Sequence, residues 1–108
     1  MELTYATKKL EKLLNTDKEI QKHFGHVAKP LKNRMGSLRA VSNLDQVPKV
    51  PPERCHELVG IRKGEFSVVL QGNWRLIFKP DPAAYRPDGG IDLVAVTRIE
   101  ILSVEDYH

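Results

Sequence analysis

The sequence has little cysteine and no long run of apolar residues. Cys55 is the one cysteine among 108 residues, so no disulfide can form within the chain. A reducing compartment is the simplest setting for such a chain, and we expect it in the cytoplasm. No run of 18 apolar residues is present, which predicts no membrane span. Charges interrupt the apolar positions of residues 1–14, which is not typical of a signal peptide.

Sequence patterns for bound metals and nucleotides are also missing. No metal-ligand spacing connects the four histidines, which are His23, His26, His56 and His108. The glycines of the second half lack the neighbours that define a phosphate-binding loop. Cys55 and His56 are adjacent, and neighbours in a strand point to opposite faces, so they are poorly placed to form a nucleophile–base pair. We therefore expect no metal and no cofactor.

Charge is distributed unevenly along the chain. The net charge is +3, yet residues 1–54 hold 11 Lys and Arg against 6 Asp and Glu, and residues 55–108 hold 6 against 8. A basic half suits a polyanion such as RNA, or an acidic partner protein. A solvated helical face is the alternative explanation.

Helical periodicity dominates the first 41 residues. Residues 2–5 form a short strand or lead into a helix that starts at Ala6. Thr16 followed by Glu19 fits a capping box, which predicts the start of a second helix. A third helix is predicted over 27–41, where apolar residues form one stripe.

Strand-like sequence follows a connector at residues 42–54 that is rich in Pro and Asn. We predict strands over 56–61, 66–71, 74–79 and 94–104, with a turn at 62–65 and a hairpin turn at Gly72-Asn73. The loop between the last two strands is long for so small a domain, which marks it as functional or variable. Helices followed by strands predict a single α+β domain over 1–108, with N-terminal helices packed on a curved antiparallel sheet.

Several side chains of the second half suit metal-free cleavage of RNA. That reaction needs a base for the 2′-hydroxyl, an acid for the 5′-oxygen and a cation for the phosphorane. Candidate catalytic residues are His56, Arg75, Asp106, Tyr107 and His108, and candidate RNA-binding residues are Arg62, Lys63 and Lys79. Each also has a structural explanation, such as a surface charge, a half-buried imidazole or a core ring.

Two segments carry a more specific pattern: residues 55–78 (CHELVGIRKGEFSVVLQGNWRLIF) and 97–108 (TRIEILSVEDYH). They resemble the HigB-type killer toxins of the RelE–ParE superfamily, which are the toxin halves of bacterial toxin–antitoxin pairs. The positions that match are His56, Leu58, Gly60, Arg62, Gly64, Phe66, Ser67, Val68, Gly72, Asn73, Trp74, Arg75, Leu76, Phe78, Asp106, Tyr107 and His108. The YATKKLEKLLN segment near the start and the DGG of the long loop extend the resemblance over nearly the whole chain.

The resemblance implies a RelE-like fold and a ribosome-dependent endoribonuclease that cuts mRNA in the ribosomal A site. It implies that the ribosome and mRNA are binding partners, and that a helix-turn-helix antitoxin (HigA-like) neutralises the chain. DNA would be contacted only through that antitoxin. His56, Arg75, Asp106, Tyr107 and His108 fall on active-site positions of the family, and Arg62 falls near them.

One position departs from the family pattern. A lysine of the family's active site is expected just before Gly60, and this chain has Val59 there. Lys63 or Arg62 from the adjacent turn is one replacement for the missing charge. The alternatives are a weakened or non-catalytic protein that mainly binds its antitoxin, and a ParE-like poison of DNA gyrase.

Overall fold

The computed structural model describes residues 1–107, and His108 lies outside the described residues. Within 1–107 there are three α-helices: α1 (Lys8–Leu14), α2 (Asp17–Phe24) and α3 (Ala28–Ala40). The strands are β1 (Glu2–Tyr5), β2 (His56–Glu57), β3 (Phe66–Val69), β4 (Trp74–Pro80) and β5 (Arg98–Asp106). Short 3-10 turns occupy Gly25–Val27, Leu44–Gln46, Gly60–Arg62 and Leu93–Ala95. No helix in the described part of the chain has the length and apolar character needed to cross a membrane.

Side-chain caps mark the starts of α1 and α2. The Thr7 hydroxyl accepts a hydrogen bond from the Leu10 amide at 3.0 Å, and the Thr16 hydroxyl accepts one from the Glu19 amide at 3.2 Å. Each cap satisfies an amide that has no partner within its helix. The predicted start of the second helix is therefore confirmed. On α3 the predicted apolar stripe is buried, with Leu31 and Met35 at its centre.

The five strands form one sheet in the order β1-β5-β4-β3-β2. Every neighbouring pair is antiparallel except β1 and β5, which run parallel with Glu2 beside Arg98. Near the β3–β4 turn the Trp74 amide donates to the Gln71 carbonyl at 2.9 Å, across Gly72 and Asn73. Gly72 has a φ of 57°, which a glycine adopts without steric cost. The hairpin turn predicted at Gly72-Asn73 is confirmed.

Two predicted strands were wrong in their bounds. The strand predicted over 56–61 ends at Glu57, because Gly60 takes a φ of 69° and begins a 3-10 turn. The strand predicted over 94–104 starts only at Arg98 and continues to Asp106. Its expected first residues form a 3-10 turn at Leu93–Ala95, and Val96 is buried in the core beside that turn.

The two faces of the sheet have different surroundings. The first face carries Leu76 and Phe78 of β4, which pack with buried residues of all three helices in the core. Alternation places Arg75, Ile77 and Lys79 on the second face. Ile77 and its neighbour Ser67 on β3 are fully buried, so the centre of the second face is also covered.

Ser67 provides a test of how that centre is packed. Its hydroxyl has no hydrogen-bond partner among residues 1–107, and a buried hydroxyl without a partner is destabilising. Ser67→Ala is therefore expected to raise the free energy of unfolding by about 1 kcal/mol in urea denaturation. Ser103 on β5 is the matched control, because its hydroxyl donates to the Glu105 carboxylate, and Ser103→Ala should lower stability instead. A lower stability for Ser67→Ala would contradict this account of the second face.

Candidate functional site

A groove beside the second face of the sheet collects positive charge. It has a volume of about 550 Å³ and is called the basic groove here; its lining residues are Lys49, Val50, Pro51, Arg54, Cys55, His56, Val69 and Arg75. Three of these residues are Lys or Arg, one is histidine, and none is Asp or Glu. A concave surface lined by one sign of charge attracts ligands of the opposite sign. The groove therefore suits an anion such as a phosphodiester.

Arg75 is held at the end of the groove by the β3–β4 turn. It lies opposite Val69 on β3 and opposite Glu105 on β5. Its Nη1 donates to the Gly72 carbonyl at 2.7 Å and to the Trp74 carbonyl at 3.0 Å. These bonds fix one side of a guanidinium group whose charge is permanent, which is the arrangement needed to orient a cation toward a phosphate.

His56 enters the groove at the start of β2. Its Nδ1 lies 3.2 Å from the Arg54 carbonyl. A carbonyl can only accept, so Nδ1 carries the proton and Nε2 is the basic nitrogen of the neutral ring. Arg54 itself has a φ of 48°, an uncommon conformation for a residue with a side chain. The exposed imidazole is thus oriented by the Arg54 carbonyl, which leaves Nε2 suited to proton transfer.

A second group of side chains surrounds Arg62. The Arg62 guanidinium donates to both carboxylate oxygens of Glu105, at 2.7 and 3.2 Å, and to Glu65 at 3.0 Å. Its Cζ lies 5.6 Å from the centre of the Tyr107 ring. We call Arg62, Glu65, Ser103, Glu105 and Tyr107 the Arg62 cluster.

The Arg62 cluster holds two carboxylates around one guanidinium, so it carries no excess of positive charge. The hydrogen bond from Arg62 is the main cause that lowers the pKa of Glu105, and the bond to Glu105 is the main cause that raises the pKa of Arg62. Both groups are therefore charged at neutral pH. Arg62 offers little net positive charge to a polyanion in this arrangement, in contrast to the basic groove.

Asp106 lies away from the basic groove. It pairs with Trp74 across the β4–β5 ladder, on the first face of the sheet, whereas Arg75 and Glu105 lie on the second. Together with His26, Asn73 and Trp74 it lines a separate pocket of about 340 Å³. The rings of His26 and Trp74 meet edge to face, with their centroids 4.8 Å apart. His108, the remaining candidate of the terminal motif, lies outside the described residues.

The RNA-binding candidates Lys63 and Lys79 have different surroundings. Lys79 is half exposed on the second face and forms an ion pair with Glu100 at 3.7 Å. Lys63 lines another pocket, next to Tyr85 and Gly89 of the long loop. Val59 and Ile61, in the turn that precedes Lys63, are 86% and 105% exposed.

The structure thus brings two of the eight candidates, His56 and Arg75, into one groove and places Arg62 with Tyr107 in a second group. Three functional candidates were missed: Lys49 and Arg54, which line the groove, and Glu105, which binds Arg62. The basic excess of residues 1–54 was the sequence signal for the first two. Within residues 1–107 no group of three His, Cys, Asp or Glu side chains is placed to hold a metal ion.

Comparison with known proteins identifies a solved structure with a similar fold. No protein-family model matches the sequence, and no curated protein matches it. Among solved structures, the YoeB/ParE toxin from Agrobacterium tumefaciens superposes with a TM-score of 0.58 at 10% sequence identity, over 100% of both chains. The fold is RelE–ParE-like. At this identity the likeness concerns the fold alone, and it confirms the α+β architecture that the resemblance implied.

Proposed function

We propose that the chain is the toxin of a toxin–antitoxin pair and, more specifically, a HigB-type endoribonuclease that cuts mRNA on the ribosome without a metal ion. The observation that carries this proposal is the basic groove, in which Arg75 and His56 are joined by Lys49 and Arg54 and no carboxylate takes part in the lining. Such a groove on a RelE–ParE-like fold suits a single strand of RNA, whose phosphates need cations along its path.

The proposed reaction is an attack of a 2′-oxygen on the adjacent phosphorus. The bond from phosphorus to the 5′-oxygen breaks, which leaves a 2′,3′-cyclic phosphate and a 5′-hydroxyl end. One proton leaves the 2′-hydroxyl and another reaches the 5′-oxygen. In this scheme His56 Nε2 accepts the first proton, His108 supplies the second, and Arg75 stabilises the phosphorane. Asp106 orients His108 or the RNA in this scheme, and the Tyr107 ring stacks on a base.

The missing lysine before Gly60 is compatible with this scheme because charge reaches the groove from another segment. Lys49 and Arg54 belong to the connector between α3 and β2 and line the same groove as Arg75. Arg62 is less suited to replace the lysine, since its guanidinium already binds Glu65 and Glu105. We therefore assign the role of the missing lysine to Lys49 and Arg54.

A second candidate function is supported by Asp106. Its place on the first face, away from Arg75, separates two residues that the nuclease scheme uses. A ParE-like poison of DNA gyrase needs no such pair. A gyrase supercoiling assay with the purified chain distinguishes the two functions, because only the gyrase poison should inhibit supercoiling.

The deciding experiment is to induce the chain in a bacterium without its antitoxin and to map mRNA 5′ ends with translation active and blocked. The nuclease proposal expects growth arrest, and new ends that appear only while translation is active. Growth arrest with unchanged mRNA ends would reject the nuclease and favour the gyrase poison. Normal growth at a verified level of folded protein would reject both toxin functions.

A further inference from the structure

A second cavity lies beneath the long loop between β4 and β5 and adjoins the basic groove, with which it shares Lys49, Cys55 and His56. Its volume is about 280 Å³, at the lower end of the range for small-molecule sites. Its apolar wall includes Leu44, Val47, Phe66 and Ile91, each of which is at least nine-tenths buried. A pocket of this size and lining suits a small apolar body and excludes a nucleic acid strand.

The loop that covers this cavity is ordered by its own hydrogen bonds. The Arg86 amide donates to the Gly90 carbonyl at 2.7 Å, and the Asp92 amide donates to the Ala84 carbonyl at 2.8 Å. Asp88 accepts from the Gly90 amide at 2.8 Å and from Arg86 Nε at 3.2 Å. These bonds give the loop a fixed shape, so the cavity wall that it supplies is preformed.

Positive charge predominates where the cavity meets solvent. Lys49 and Arg86 contribute exposed cationic side chains to the lining. Glu57 is the one carboxylate of the lining, and it accepts a hydrogen bond from the Gly64 amide at 3.0 Å. The Lys49 ammonium also acts on the Cys55 thiol in the cavity wall and lowers its pKa, against the larger effect of burial. The lining thus holds two cations against one carboxylate at the rim, with Arg86 also paired to Asp88, while the interior is apolar.

We propose that this cavity binds a small amphiphilic carboxylate of the medium-chain fatty acid class. The hydrocarbon chain occupies the apolar interior, and the carboxylate lies at the rim supplied by Lys49 and Arg86. The small volume favours a short hydrocarbon chain, since drug-sized ligands need larger pockets. The proposal does not require the proposed nuclease activity, although Lys49 and His56 line both sites.

Cys55 offers a direct measurement of occupancy, because it is the chain's one cysteine and lines the cavity. Burial raises the pKa of its thiol to about 11, so its reaction with an aromatic disulfide reagent near pH 8 is slow and easily followed. Octanoate, below its micelle concentration, is expected to slow this reaction saturably. Octanol, which has the same chain without the charge, should protect far less.

Lys49→Gln tests the ionic contact. The readout is the ratio of labelling rates with and without octanoate, because Lys49 also acts on the thiol itself. We expect the concentration of octanoate for half protection to rise about tenfold. Lys18→Gln is the matched control, since Lys18 is exposed on α2 and lies outside the cavity, and its protection should equal that of the unmodified chain.

Three outcomes would overturn the proposal. These are no protection by octanoate, equal protection by octanol, and unchanged protection in Lys49→Gln. Chemical shifts of the Leu44 and Val47 methyl groups on titration with octanoate provide a second measurement that does not depend on thiol chemistry. Shifts confined to residues outside the cavity would place the ligand elsewhere and reject the site.

Discussion

Replacing Arg75 with alanine is expected to lower ribosome-dependent mRNA cleavage by about 100- to 1,000-fold, the loss typical when one stabilising group of a transition state is removed. Arg75 belongs to β4, and its side chain donates to the carbonyls of Gly72 and Trp74. The sheet and its turn therefore position this cation of the basic groove. The measurement is the yield of translation-dependent mRNA ends per unit of folded protein.

Two comparisons separate a chemical role of Arg75 from a structural one. Arg39→Ala removes an exposed arginine on α3 that lies outside the groove, and it should leave cleavage unchanged. Arg75→Lys keeps the positive charge and loses the planar fork, so an intermediate rate is expected. Full activity of a folded Arg75→Ala protein would contradict the assignment of Arg75 to the phosphorane.

The second large effect is expected on stability, at Glu105. Glu105→Gln weakens two charge-assisted hydrogen bonds with Arg62, and we expect the free energy of unfolding at pH 7 to fall by about 1–2 kcal/mol, allowing for partial exposure to water. Urea denaturation of the single variants and of the double variant Glu105→Gln, Arg62→Gln gives the coupling energy. A coupling energy near zero would show that the pair contributes nothing to the fold.

The contribution of Glu105 to the free energy of unfolding should decrease as the pH falls. Because its pKa is lowered in the folded protein, its contribution is present above the unfolded value, near 4.3, and is lost as the pH falls through the folded pKa. The difference between Glu105→Gln and the unmodified chain should therefore be largest near pH 7 and shrink below about pH 4. Glu100→Gln is the control on the same strand, since its single contact with Lys79 at 3.7 Å is worth little.

Sequence patterns predicted the helices better than the strands. Thr16 caps α2 by a local side-chain bond, as its capping-box signal predicted. The first helix begins at Lys8, after its cap Thr7, and not at Ala6 as predicted. The strand expected over 56–61 ends at Glu57, because the backbone turns at Gly60 although apolar residues continue on both sides of it. The parallel partner of β1 could not be predicted from local patterns, because it depends on residues at the other end of the chain.

Prediction of the site was limited in the same way, because contacts between residues far apart in the sequence leave no local pattern. Arg75 and His56 were identified by their residue types and motif, and the sheet places them in one groove. Lys49 and Arg54 lie in a Pro-rich connector whose path no periodicity describes. Glu105 was overlooked because its role depends on Arg62, 43 positions earlier, and such a pairing exists only after the sheet forms.

Asp106 and Arg75 were expected in one pocket, yet alternation along β5 places Asp106 on the first face, with Glu105 opposite Arg75 on the second.

The parallel pairing of β1 with β5 also governs how the protein folds. β1 leaves the ribosome early, and its hydrogen-bond partners at residues 98–101 follow only after β2, β3 and β4 have been made. Until then β4 has an open edge, and the helices have only part of the sheet to pack against. Contacts between such distant residues slow folding, so we expect a late, rate-limiting docking of β5. Since β5 also carries Glu105, the ion-pair partner of Arg62, a nascent chain completes the Arg62 cluster only in that last step.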